Sequence, residues 1–185
     1  MQTYIAILRG INVSGHKMMK MEALRHLLED LNFKNIKTYI QSGNIVFQDK
    51  KTNVDALEKK IAKKISDNFD FEVPVIVKEE KELIDVLNKN PFLTKRKEEI
   101  TKLHVTFLSD VPEKANVDKI IDASYQSDEC IIIEKAVYLF CPNGYGNTKL
   151  NNTFFESKLK VTATTRNWKT ITELVKMANQ LSLQN

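Results

Sequence analysis

Cysteine, glycine, proline and long apolar runs are all scarce in this chain of 185 residues, and each scarcity excludes something. Two cysteines, Cys130 and Cys141, cannot form the disulfide framework of a small secreted fold. They are expected as buried free thiols in a reducing compartment. The three histidines, His16, His26 and His104, share no metal-ligand spacing with each other or with the cysteines, so no metal and no cofactor is expected. No apolar stretch approaches the roughly 20 residues that span a bilayer, and the first one ends at Leu8 with Arg9 directly after it. The expectation is a cytoplasmic protein without a membrane segment. Five glycines and four prolines exclude a low-complexity chain, and the 42% hydrophobic and 28% charged residues are those of a packed domain.

What is present is organised by periodicity. A strand is predicted at Thr3 to Leu8, followed by a helix with its apolar stripe at Met21, Leu24, Leu27, Leu28 and Leu31. Two short strands, Lys37 to Gln41 and Asn44 to Gln48, flank a turn at Ser42 and Gly43. A helix from Asn53 to Phe69, with Thr52 or Asn53 as its cap, and a strand from Val73 to Lys78 complete a β-α-β-β-α-β series. A charged helix, Glu80 to Leu87, and a polar stretch lead to a second series. Its parts are a strand at Leu103 to Leu108, a helix carrying Val117, Ile120 and Ile121, the hairpin CIIIEKAVYLFC, a helix carrying Leu150, Phe154, Phe155 and Leu159, and a strand at Val161 to Thr165. An amphipathic helix ends the chain, with Thr170 and Glu173 as a capping box. The fold class expected is α+β, with two consecutive ferredoxin-like lobes and a C-terminal helix. The boundaries are 1–79 for the first lobe, 80–102 for the connection, 103–165 for the second lobe and 166–185 for the last helix.

The net charge of +4 is too small to imply nucleic-acid binding alone, but its placement is uneven. Residues 1–21 hold Arg9, Lys17 and Lys20 and no acid, and residues 135–172 hold six bases against Glu156 alone. The positive charge accompanies loops rich in glycine and asparagine. In LRGINVSGHK (8–17), Arg9 and Lys17 supply charge and Asn12 polar capacity beside two glycines. QSGN (41–44) adds Ser42 and Asn44. PNGYGNTKL (142–150) follows a strand and opens a helix, with Gly144 and Gly146, a cap at Asn147 or Thr148, and Lys149 in the first turn. TATTRNW (162–168) places Arg166 and Asn167 at the start of the last helix beside the single tryptophan. Turn formation and capping account for each motif taken singly. Taken together, and expected to converge between the two lobes, Arg9, Asn12, Lys17, Ser42, Asn44, Gly144, Gly146, Lys149, Arg166 and Asn167 form the candidate site for a phosphate- or carboxylate-bearing small molecule or nucleotide.

Other readings stay open at this point. Nucleic acid is an alternative partner, although YIAIL, apolar at consecutive positions, predicts a strand covered on both faces and leaves no open stacking platform for Tyr4 and Phe47. Catalysis with Lys17 or Lys149 as acid or base is another. In a third, the motifs serve only packing in a protein-interaction module. RGINV (9–13), TYIQSGN (38–44), NPF (90–92), PNGYGNTKL and TTRNW, in this order along nearly the whole chain, resemble the bacterial family called domain of unknown function 1697. The resemblance implies two ferredoxin-like lobes and brings no activity, cofactor or catalytic residue.

Overall fold

The computed structural model describes residues 1–121 and 123–183. It is a mixed α/β fold with two four-stranded antiparallel sheets. The chain divides into two compact units, Met1–Ile84 with the segment from Glu173 onward, and Asp85–Thr172.

In the first unit β1 (Gln2–Leu8), α1 (Met21–Glu29), β2 (Lys34–Tyr39), β3 (Asn44–Asp49), α2 (Val54–Phe69) and β4 (Val75–Glu79) follow one another. The sheet order is β2-β3-β1-β4. β1 is central, which is why Tyr4, Ile5, Ala6, Ile7 and Leu8 are all fully buried: a strand covered on both faces needs consecutive apolar residues rather than alternation. Tyr4, Ala6 and Leu8 pack with Leu24 and Leu28 of α1 and with Leu57, Ile61 and Ile65 of α2. Asn53 caps α2 by accepting from the amides of Asp55 and Ala56. On β1 and β3 the polar pair Thr3 and Gln48 is also buried, satisfied by Ser182 Oγ and the Leu181 carbonyl at the end of the last helix. Tyr4 and Phe47 are buried and stacked on each other, with the Tyr4 hydroxyl donating to the Thr52 carbonyl. Neither ring is open to solvent.

The second unit takes in the end of α3 (Glu80–Asn88), then α4 (Pro91–Thr94), β5 (Leu103–Leu108), α5 (Lys114–Ile121), β6 (Glu129–Ile133), β7 (Ala136–Phe140), α6 (Asn152–Leu159) and β8 (Ala163–Asn167). Its sheet order is β6-β7-β5-β8. Leu108, Val137, Leu139, Cys141, Leu150, Phe155, Leu159 and Ala163 make its core. The last helix, α7 (Trp168–Ser182), closes the described chain, and residues 184 and 185 of the expected C-terminal segment lie outside the described residues, as does residue 122.

Several boundaries differ from expectation for local reasons. β2 begins at Lys34 rather than Lys37, because Asn35, in the left-handed region at φ 53°, forms a bulge and donates to Gln48 Oε1. β4 starts two residues late, at Val75, after Pro74. β8 spans Ala163–Asn167 instead of Val161–Thr165, since Lys160, at φ 61°, ends α6 in a left-handed cap. α4 was not foreseen; Asn90 caps it ahead of a proline at its first position. Ile121, placed in the apolar stripe of α5 by sequence, is exposed.

Cys130 and Cys141 are free thiols, and Cys130 lies opposite Leu139 in the register. Burial pushes both thiols up to about 11. At pH 8 roughly one thousandth of each is then thiolate, so alkylation of the native protein by iodoacetamide is expected to run at least about tenfold slower than that of the urea-unfolded chain. Equal rates, read by mass spectrometry, would contradict the burial.

Candidate functional site

In the first unit the stretch after β1 folds back on itself. Ser14 (φ 50°) and Gly15 (φ 77°) form a tight turn in which His16 N–H donates to the Val13 carbonyl at 2.9 Å. One step further out Asn12 N–H donates to the Lys17 carbonyl at 3.2 Å. The base of this small hairpin is fixed by the Asn12 side chain. Its Oδ1 accepts from Met19 N–H at 2.7 Å, while its Nδ2 donates to the carbonyls of Met19 (2.9 Å) and Gln41 (2.8 Å). Asn12 therefore ties the loop after β1 to the β2–β3 turn.

That turn has its own anchors. Asn44, fully buried, donates to the Tyr39 carbonyl and to Ser42 Oγ. Gly43 is buried at φ 74°, and its carbonyl accepts from Leu8 N–H at 2.8 Å. Ile40 sits at φ 49°, a conformation unusual for a β-branched residue and one that costs on the order of 1–3 kcal/mol. Its side chain is 50% exposed. Val13 (57%) and Met18 (63%) are exposed in the same loops. Beside Met18 lies an open cavity of about 490 Å³ lined by Asn12, Met18, Met19, Lys20 and Gln41. Most of its wall is apolar, with two methionines in it, and Lys20 is the cation of its lining.

Arg9, half-exposed, directs its backbone amide to the Pro74 carbonyl at 2.9 Å, and Lys17 Nζ donates to the Glu72 carbonyl at 2.5 Å. Of the sequence-derived residues in this unit, Asn12 alone lines the cavity, and Ser42 and Asn44 shape the turn beside Gln41. Met18, Met19, Lys20 and Gln41 were missed as site residues. The available signal was a pair of methionines in an otherwise polar, glycine-containing segment.

The other five residues belong to the second unit. Gly144 (φ 87°) and Gly146 lie around a single 3-10 turn, Tyr145–Asn147. The cap of α6 is Asn151, which accepts from Phe154 N–H at 2.9 Å, rather than Asn147 or Thr148. Thr148 instead accepts from Leu150 N–H, a local turn that delays the helix. Lys149 consequently stands exposed before the helix and outside its first turn. Arg166 and Asn167 end β8, and Asn167 caps α7 from there, as its place before the helix suggests. Asn167 is exposed and accepts from Thr170 N–H at 2.8 Å, which replaces the capping box expected at Thr170. Arg166 is buried and donates from Nη1 to Thr164 Oγ1 and to the Thr165 carbonyl. Burial lowers it to about 10, and it keeps its charge at neutral pH.

His104, opposite Asn167 in the β5–β8 register, stacks on Tyr145 with ring centroids 4.8 Å apart. This contact brings the 142–150 loop to the end of β8. Burial lowers the His104 pKa, partly opposed by a hydrogen bond with the backbone of Lys102. A histidine depressed in the fold contributes stability that is present above its unfolded value of about 6.5 and is lost as pH falls through and below it. Urea midpoints are therefore expected to fall between about pH 7 and about pH 5, with a shallower fall in His104→Phe, which keeps the stacking. Identical slopes would remove His104 from this role.

Among the described residues no group of three His, Cys, Asp or Glu side chains is placed to hold a metal ion, and no helix is long and apolar enough to cross a membrane. A family model described as "Protein of unknown function (DUF1697)" matches residues 1–138. No curated protein matches the chain. A solved structure, that of conserved bacterial protein SP0830 from Streptococcus pneumoniae, is similar, with 21% identity, a TM-score of 0.73, and 96% of this chain and 98% of that chain covered. At that identity the likeness concerns the fold.

Proposed function

Because the chain belongs to the family described as protein of unknown function DUF1697, we propose a function on physical grounds alone: it binds a small amphiphilic anion, a carboxylate or phosphate joined to an apolar body. The cavity lined by Asn12, Met18, Met19, Lys20 and Gln41 carries this reading. Its volume lies in the range of about 300–1,000 Å³ typical of small-molecule sites, which combine a mainly apolar wall with a few placed polar groups. The methionines would take the apolar body, since their flexible thioethers fit varied shapes. Lys20 would take the anionic end, with Arg9 and Lys17 adding to the positive field of a segment that has no acid. The strained, exposed Ile40 beside Gln41 fits a loop held ready for a ligand.

In this reading each unit is a ferredoxin-like lobe, on the support of the β-α-β-β-α-β succession and the two matching sheet orders. The lobes would correspond to 1–79 and 103–165. The remaining candidates, Gly144, Gly146, Lys149, Arg166 and Asn167, would form a separate basic surface of the second lobe. A cytoplasmic location suits the two free thiols.

The test is a thermal-shift panel of aryl and alkyl carboxylates, phosphate esters, nucleotides and short single-stranded oligonucleotides at low and moderate salt. A ligand at about 100 times its Kd adds roughly 2.7 kcal/mol, a shift of several degrees at about 2–4 °C per kcal/mol. Amphiphilic anions are expected to raise the melting temperature, and Lys20→Ala to weaken their binding about tenfold, or about 1.4 kcal/mol. A response confined to oligonucleotides and steeply lost with salt would replace this reading by nucleic-acid binding.

A further inference from the structure

The two sheets treat their outer strands differently. In the first, β2 carries Lys34 and Lys37 and is broken by a bulge between them, the usual protection of an edge against further pairing. In the second, β6 is regular over Glu129–Ile133 and has no lysine, proline or bulge in its sequence ECIII. Ile131 on this strand is 36% exposed. The two-residue turn Glu134–Lys135 sets Ile133 opposite Ala136. The alternation of an antiparallel ladder then turns the amides of Cys130 and Ile132 away from β7. Such a row of outward donors and acceptors fits one kind of occupant, another extended backbone.

Two further features define that backbone. A cavity of about 370 Å³ opens beside the start of β6, with Ile120, Ile121, Tyr125, Asp128 and Glu129 in its lining. Ile121 is exposed there, an apolar wall next to two carboxylates. Arg96 Nη1 holds Glu129 at 2.7 Å, whereas Asp128 and Glu134 make no ion pair among the described residues. A second copy of this chain is a poor occupant. Antiparallel self-pairing centred on Ile131 would set Asp128 of one copy against Glu134 of the other, and like charges opposed across strands repel. We propose that β6 is a docking edge for an extended segment of another protein that bears lysine or arginine at its ends, one such side chain laying its stem on Ile121 and its charge by Asp128. Backbone pairing supplies the register, and the acidic ends supply the choice of partner.

A fluorescein-labelled nine-residue peptide of alternating valine and threonine with a lysine at each end is the probe, read by fluorescence polarisation against the full chain. Binding is expected, at least tenfold weaker for the same peptide ended in glutamate, and abolished when alternate peptide amides are N-methylated. Ile131→Lys, which guards the edge as β2 is guarded, should abolish it with an unchanged urea midpoint, while Ile131→Thr should retain it. The proposal is overturned by no binding, by equal affinity for the lysine and glutamate peptides, or by indifference to N-methylation. It is overturned as well by a dimer in light scattering that Ile131→Lys dissociates, since a second copy would then occupy the edge.

Discussion

Gly43→Ala is expected to destabilise the protein by roughly 2–4 kcal/mol, combining about 1 kcal/mol for leaving glycine's conformational freedom with about 1–3 kcal/mol for overpacking. A Cβ at this position would stand 2.7 Å from both Ile11 Cδ1 and Leu8 Cβ, and 3.0 Å from Leu8 Cγ. Both neighbours are buried in the core, so neither can step aside. The Gly43 carbonyl also accepts the Leu8 amide, which fixes the turn against the end of β1. Gly144→Ala is the control. It has φ 87°, yet its Cβ would meet nothing within 4 Å, so only the conformational cost of about 1 kcal/mol applies. Urea denaturation of the two variants separates close packing from backbone strain. Equal losses would mean that the approach of Gly43 to Leu8 and Ile11 carries no weight.

Asn12→Ala is expected to cost about 3 kcal/mol, since three hydrogen bonds contribute roughly 1 kcal/mol each. Its left-handed backbone at φ 53° also suits asparagine better than alanine. The partners are the Met19 amide, the Met19 carbonyl and the Gln41 carbonyl, so the substitution frees the loop after β1 from the β2–β3 turn. Both walls of the cavity depend on that tie. Asn12→Asp keeps the acceptor for Met19 N–H but sets a carboxylate oxygen against the Met19 and Gln41 carbonyls, and should cost at least as much as alanine. A loss below about 0.5 kcal/mol in Asn12→Ala, the level of an ordinary surface change, would show that the loop holds its form without this residue.

Much of the fold was legible because β1 carries an unbroken apolar run and α1 and α2 carry stripes at helical spacing, patterns that burial on two faces or one face imposes directly. Boundaries were misplaced where single residues in the left-handed region decide them. Asn35 lengthens β2 through a bulge and Lys160 delays β8, and neither residue type compels that conformation. The site was less legible. Asn12 and Asn44 stood out as polar loop residues, but a sequence does not distinguish an amide turned to a ligand from one that closes its own turn, and both amides make bonds within the fold. Met18 and Met19 stand just before α1, where methionines read in sequence as helix-entry packing. Met19 is buried so, whereas Met18, after the left-handed Lys17, is exposed. The shift of Arg166 into β8 has the same origin as the delayed strand.

Binding at the Met18–Met19 cavity is the central claim, and methyl NMR of the protein labelled at its five methionines addresses it residue by residue. Titration with 4-phenylbutyrate and phenyl phosphate is expected to move the Met18 and Met19 methyl signals in a saturable way, leaving Met1 and Met177 in place, and Lys20→Ala should weaken the response. Signals of Met18 and Met19 that stay fixed at saturating concentrations of both anions, or that move only together with Met1 and Met177, would contradict it.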